Sequence, residues 1–168
     1  LDAELAVIDS GIRHDHASGA YNARRAECEH AAELLGVATL RDVDRDADLT
    51  GLPQTLAARV RHVVSENARV LAAVAAIEAG DARALGAVVS AGHASLRDDF
   101  QVSLPEIDAI VGAAQRDADV HGARLTGGGF GGSVLVLARS GRARAAAERI
   151  VGATSGRIVV PAGDAVES

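Results

Sequence analysis

Nine residues, Leu125-Thr126-Gly127-Gly128-Gly129-Phe130-Gly131-Gly132-Ser133, constrain this chain more than any other stretch. Five glycines within six positions are entropically costly to order, so the fold must use conformations or close approaches that only glycine permits. Ala123–Thr126 before the glycines and Ser133–Ala138 after them read as strands. The loop matches the spacing of a dinucleotide-binding fingerprint at Gly127, Gly129 and Gly132, but that fingerprint must open a helix, and here a strand follows. Gly127 and Gly132 also have the spacing of a phosphate-binding loop, yet Ser133 stands where lysine is required. All 17 basic residues are arginine, which removes that loop together with Schiff-base and lysine general-base chemistry. Two readings remain: a tight turn between strands, or a concavity of backbone N–H groups suited to phosphate or another anion.

The rest of the chain predicts how that hairpin is packed. Leu5–Asp9 reads as a buried strand ending at Ser10-Gly11. Asp15 or Ser18 can then cap a helix to Leu35, stopped by Gly36, with a stripe of Tyr21, Arg25, Cys28, Ala32 and Leu35. Arg25 on that stripe predicts an ion pair with Glu29 one turn on. Arg41–Asp48 is a charged, solvated connection. Asp42, Asp44 and Asp46 imitate a calcium loop, but Ala47 and Pro53 stand where Gly and Glu are needed. Gln54–Ala79 carries a helical stripe of Leu56, Val60, Val63, Asn67, Val70 or Leu71, Val74 and Ile77. Asp81 caps a helix from Ala82 to about Phe100. Ser103-Leu104-Pro105-Glu106 has capping-box spacing ahead of a helix using Ile107, Ile110, Val111 and Ala114. An Ala-rich helix from Gly141 to about Gly152 and a strand at Arg157–Val160 complete an α+β fold: a small, mostly antiparallel sheet with packed helices.

Length and composition exclude several function classes. At 168 residues the chain is one domain with its own core. With only Tyr21, Phe100 and Phe130 as aromatics and a net charge of −6, neither base stacking nor phosphate-backbone binding fits, so no nucleic-acid partner is expected. The single Cys28 allows no intrachain disulfide and fits a cytoplasmic setting. The apolar runs Leu71–Ile77 and Val134–Ala138 are too short to span a bilayer, and no signal peptide precedes them, so no membrane partner is expected. The start at Leu1 without methionine predicts a piece of something longer. His14, His16, His30, His62, His93 and His121 show no zinc-helix spacing and Cys28 lies on an apolar stripe, so neither metal ligation nor nucleophilic catalysis is expected of them.

At the glycine loop the chain resembles galactokinases, within the GHMP small-molecule kinase superfamily. Gly122-Ala123-Arg124-Leu125-Thr126-Gly127-Gly128-Gly129-Phe130-Gly131-Gly132 is similar to the third signature of that family. Three further segments agree in order: Asp9–His14 through Tyr21–Cys28, Arg61–Val70, and Ser95–Asp108, the last preceded by His93-Ala94. One departure is Ala20, where the family has Glu before the tyrosine. The family's first signature, Ser-rich ATP loop and catalytic Asp have no counterpart here. The resemblance therefore implies that residues 1–168 are a GHMP kinase C-terminal domain with a ferredoxin-like core, roughly the last two fifths of a family member.

What the resemblance implies about function is specific. The parent protein transfers the ATP γ-phosphoryl group to the anomeric hydroxyl of α-D-galactose with Mg²⁺, and ATP and Mg²⁺ are bound mainly by the N-terminal half, the partner of this domain. No catalytic residue and no metal ligand is expected in this chain, which alone is expected to be inactive. Tyr21 would touch the sugar, and Gly127, Gly128, Gly129, Gly131 and Gly132 would line the cleft near the transferring phosphate. Arg13, His14, Arg24, Arg25, His62, Glu66, Asn67 and Arg69 would be scaffold. A kinase for a related sugar such as N-acetylgalactosamine, or a non-catalytic galactose sensor, are the alternatives.

Overall fold

The apolar alternation of Leu5–Asp9 forms β1 (Glu4–Asp9), with Ala6 and Ile8 turned fully inward. The computed structural model describes residues 1–12 and 17–160. Helix α1 (Ala17–Leu35) follows, then a short 3₁₀ turn (Leu40–Asp42), α2 (Gln54–Glu78), α3 (Ala82–Asp98) and α4 (Pro105–Arg116). Strands β2 (Val120–Thr126) and β3 (Ser133–Ala138) form the hairpin around the glycines, and α5 (Ala143–Gly152) and β4 (Arg157–Val160) close the chain. The sheet order is β2-β3-β1-β4 with every pairing antiparallel. That is the ferredoxin-like arrangement, with four helices in its first crossover where the simplest form has one.

One sheet face carries the main core. Ile8, Ala123, Leu125, Val134 and Val136 pack against Ile107, Ile110 and Val111 of α4 and Ala146 and Ile150 of α5. Each such aliphatic side chain contributes about 1.5–3 kcal/mol relative to exposure. On the other side Leu137 meets Ala76 of α2 and Leu85 of α3. A third cluster joins Ala31 and Ala32 of α1 to Leu56 and Val60 of α2.

The structure differs from the sequence expectation in four places. Ser18 lies inside α1, so it does not precede the helix as a cap, and Asp15, Arg13, His14 and His16 lie outside the described residues. Of the α1 stripe, only Cys28, Ala32 and Leu35 turn inward; Tyr21 and Arg25 are exposed, because α2 covers only the C-terminal part of α1. Arg25 still makes its predicted pair with Glu29, at 2.8 Å. Val70, Leu71, Val74 and Ile77 are also exposed, because α2 meets the sheet and α3 through Ala73 and Ala76. Finally, Ser103 does not cap α4. The N-cap position is Leu104, the helix opens on Pro105, and the Ser103 hydroxyl donates instead to Asp108 at 2.6 Å. Asp81 does cap α3, accepting from the Ala84 N–H.

Candidate functional site

The glycine loop turns back between β2 and β3 and is fastened on two sides. On one side it meets the exit of β1. The Gly132 carbonyl accepts from the Ser10 N–H at 3.0 Å and from the Ser10 hydroxyl at 2.7 Å. Gly131, at φ +131°, passes so close to this segment that a Cβ would lie 2.7 Å from the Ile12 carbonyl oxygen. On the other side it meets the link between α3 and α4. Phe130 N–H donates to the Val102 carbonyl at 2.8 Å. Gly129, at φ +83°, leaves only 2.5 Å between a built Cβ and the Val102 Cβ. Both positions combine a left-handed backbone with a contact that no side chain permits. Phe130 itself is held at φ +59°, unusual for a side chain of its size.

Between these clamps the loop presents backbone donors. Among the described residues, the N–H groups of Gly127, Gly128 and Gly131 meet no acceptor. Unpaired amides in a glycine turn are the donors that the second of the two sequence readings, an anion site, would need. Tyr21 stands beside it: a Cβ on Gly128 would lie 3.5 Å from the Tyr21 ring. Tyr21 is 53% exposed, so it is a surface aromatic at the loop and no member of the core. The structure thus brings Tyr21 and the five glycines together at one end of the sheet.

The scaffold behind them is a set of charged networks that local sequence does not disclose. Arg59, 2% exposed, donates through Nε to Glu27 at 2.6 Å, through a terminal nitrogen to the Asp99 carbonyl, and through the other to Gln101 Oε1 at 2.9 Å. Arg24 bonds the same Glu27 carboxylate and reaches the Gln101 carbonyl. Glu66 is gripped by Arg69 and by Arg124 of β2, both at 2.7 Å, and these cations hold its carboxyl below the usual range although burial opposes them. Glu66 and Arg69 lie three positions apart on α2, a spacing that suits such a pair. Arg59 and Gln101 are the residues that sequence reasoning missed; the only signal was a cation among Leu56, Ala57, Ala58 and Val60.

Two buried histidines pin α3. His93 Nδ1 accepts the Leu125 N–H at 3.3 Å, while Nε2 faces Asp108 at 3.1 Å, which sets a neutral ring donating from Nε2. Leu125 is two residues from the first loop glycine, so this bond holds the end of β2. Burial lowers the His93 pKa against the pull of Asp108. His62 stacks on Phe100 with ring centroids 4.3 Å apart and bonds Ser95 Oγ at 2.9 Å. Burial lowers its pKa to about 4. Burial likewise pushes the half-buried Cys28 thiol up, which keeps it protonated and unreactive. Among the described residues no three His, Cys, Asp or Glu side chains gather as a metal cage. No helix among them is long and apolar enough to cross a membrane.

The family described as GHMP kinases C terminal matches residues 73–154. The chain is 53% identical over 138 residues to a galactokinase of Streptomyces coelicolor, covering 79% of this chain and 35% of that protein. It is 46% identical over 144 residues to a galactokinase of Haemophilus influenzae, covering 82% of this chain and 38% of that one. The chain therefore spans little more than a third of the length of these curated relatives. Its fold superposes on Lactococcus lactis galactokinase complexed with galactose at a TM-score of 0.84 and 30% identity, over 94% of this chain and 44% of that chain. It also superposes on L. major mevalonate kinase in complex with R-mevalonate at a TM-score of 0.58 and 24% identity, over 89% of this chain and 37% of that chain, a likeness of fold.

Two outcomes follow for the 168-residue chain. Gly129→Ala meets both a left-handed backbone and the Val102 side chain, and should lower urea-unfolding stability by about 3 kcal/mol. Gly128→Ala, with ordinary room beside Tyr21, should stay within about 1 kcal/mol of the parent chain; equal losses for the two would remove the Val102 clamp. The histidines fix the acid response. His62 is neutral in the fold but binds a proton when unfolded, so its contribution is intact above pH 6.5 and is lost as pH falls toward about 4. Stability should drop by about 2 kcal/mol from this group between pH 7 and pH 5, and His62→Gln should flatten that slope in parallel urea titrations.

Proposed function

We propose that this chain, whose residues 73–154 match the family described as GHMP kinases C terminal, is the sugar-facing wall of a galactokinase. The whole protein would transfer the γ-phosphoryl group of ATP to the anomeric hydroxyl of α-D-galactose. The observation that carries this reading is the pairing of an exposed tyrosine with a clamped row of unpaired backbone amides. Similarity to galactokinases over four fifths of the chain supports it, and so does the superposition on a galactokinase complexed with galactose.

The loop amides fit a phosphate oxygen, and their chemistry is electrostatic. Phosphoryl transfer is catalysed mostly by positioning and by stabilising charge on the transferring group. Donors already held by Val102 and Ser10 do that without reorganising when the charge develops. The Tyr21 ring covers an apolar sugar face, and its hydroxyl bonds a sugar hydroxyl. ATP would supply the phosphoryl group and Mg²⁺ would neutralise its oxygens; both would be held mainly by the N-terminal half, as the resemblance to galactokinases implies. That half is the partner of residues 1–168, and the exposed apolar face of Val70, Leu71, Val74 and Ile77 offers it a surface.

The test is a chimera in which this chain replaces its matched segment in the Streptomyces coelicolor galactokinase. The chimera should phosphorylate galactose within about tenfold of the unmodified enzyme, and the 168-residue chain alone should not. A folded chimera with no turnover on galactose, or one that prefers N-acetylgalactosamine, refutes the assignment. Within the chimera, Tyr21→Phe should raise KM for galactose roughly three- to tenfold at little change in kcat, the weight of one neutral hydrogen bond. An unchanged KM would take Tyr21 away from the sugar.

A further inference from the structure

The buried guanidinium of Arg59 has no counterpart in the mechanism above, yet it bonds three different residues. Its three partners lie on two different elements. Glu27 belongs to α1, the helix that carries Tyr21. The Asp99 carbonyl and the Gln101 side chain belong to the link between α3 and α4. That link carries no regular structure over Phe100–Leu104. Nevertheless it is tightly specified. Phe100 N–H bonds the Ser95 carbonyl at 2.9 Å, and Val102 N–H bonds the Leu96 carbonyl at 3.0 Å. Gln101 sits at φ +56°, a strained position for a residue with a side chain. Arg59 holds its side chain and Arg24 its carbonyl. The next residue, Val102, receives the Phe130 amide and blocks Gly129.

We propose that Arg59 is a positioning residue: it locks Gln101 and Val102 in place and thereby sets where the glycine-loop amides point relative to Tyr21. The inference rests on the kinase reading for its catalytic consequence, but its mechanical part stands independently. Arginine suits the task because a planar fork reaches a carboxylate, a backbone carbonyl and a side-chain carbonyl from one buried centre. Lysine keeps the charge toward Glu27 but cannot span all three. Because one guanidinium joins α1 to the link, a shift of either would be felt by both walls of the site, the tyrosine and the loop.

Two variants test this without relying on one of them folding. Arg59→Lys loses the fork. Gln101→Gly removes the side-chain bond while accepting the left-handed backbone, so it relieves strain and leaves the core intact. In the 168-residue chain, hydrogen exchange at the Phe130 amide should accelerate on the order of tenfold relative to the Val136 amide in the sheet, the loss of one charge-assisted bond behind it. In the chimera, kcat on galactose should fall on the order of tenfold for both variants while KM for galactose stays within about threefold, as displaced reacting groups predict. Phe130 and Val136 exchanging in step would show only general loosening and overturn the proposal. So would faster Phe130 exchange with an unchanged kcat in an active chimera. If the unsubstituted chimera is inactive, the kinase reading fails, and the exchange measurement alone decides whether Arg59 anchors the loop.

Discussion

The Phe130 amide and the Val102 carbonyl meet at 2.8 Å, and the working end of the molecule depends on that bond. A loop with five glycines in six positions would otherwise be the most flexible part of the chain. Here it is caught between Val102 on one side and Ser10 and Ile12 on the other. The glycines are required by both clamps, because neither Val102 nor the Ile12 carbonyl leaves room for a side chain. Freedom of the unfolded loop is exchanged for one fastened arrangement in which the Gly127, Gly128 and Gly131 amides stay unpaired. That is the condition under which backbone donors can stabilise charge without moving.

Behind the clamp lies a set of half-buried ion pairs with the fully buried Arg59 among them. Arg59, Arg24 and Glu27 connect α1, α2 and the link after α3, while Glu66, Arg69 and Arg124 connect α2 to β2. Buried ion pairs are weak sources of stability, since desolvation offsets their attraction. Their value here is geometric. They join elements at fixed distances where the apolar clusters, which meet through small alanines, would tolerate sliding. His93 does the same for the end of β2 by accepting the Leu125 amide.

Much of this was legible in the sequence, for identifiable reasons. The strand at Arg157–Val160 and the Asp81 cap follow from patterns a few residues long, and the structure places both where those patterns predict. The hairpin around the glycines was readable because strand signals flank it on both sides. The exposed face of α2 was not, since periodicity at Val70, Val74 and Ile77 says that a helix is amphipathic, but not which partner covers it. Ser103 was misread as a cap because the spacing fits, whereas its hydroxyl found a stronger acceptor in Asp108. Tyr21 came to the site through resemblance alone; its stripe pointed inward. Val102 and Gly129 are 27 positions apart, and nothing local links them. Arg59 was invisible for the same reason, its carbonyl partner being 40 residues away.

In the proposed function the loop amides are the donors that meet the phosphate of a phosphorylated sugar. The direct measurement is an amide spectrum of the chimera, labelled with ¹⁵N-glycine and titrated with galactose 1-phosphate. Saturable shifts of the Gly127, Gly128 and Gly131 amides are expected, with Gly141, just before the last helix, unmoved. Saturable binding of galactose 1-phosphate that leaves those three resonances in place would contradict it.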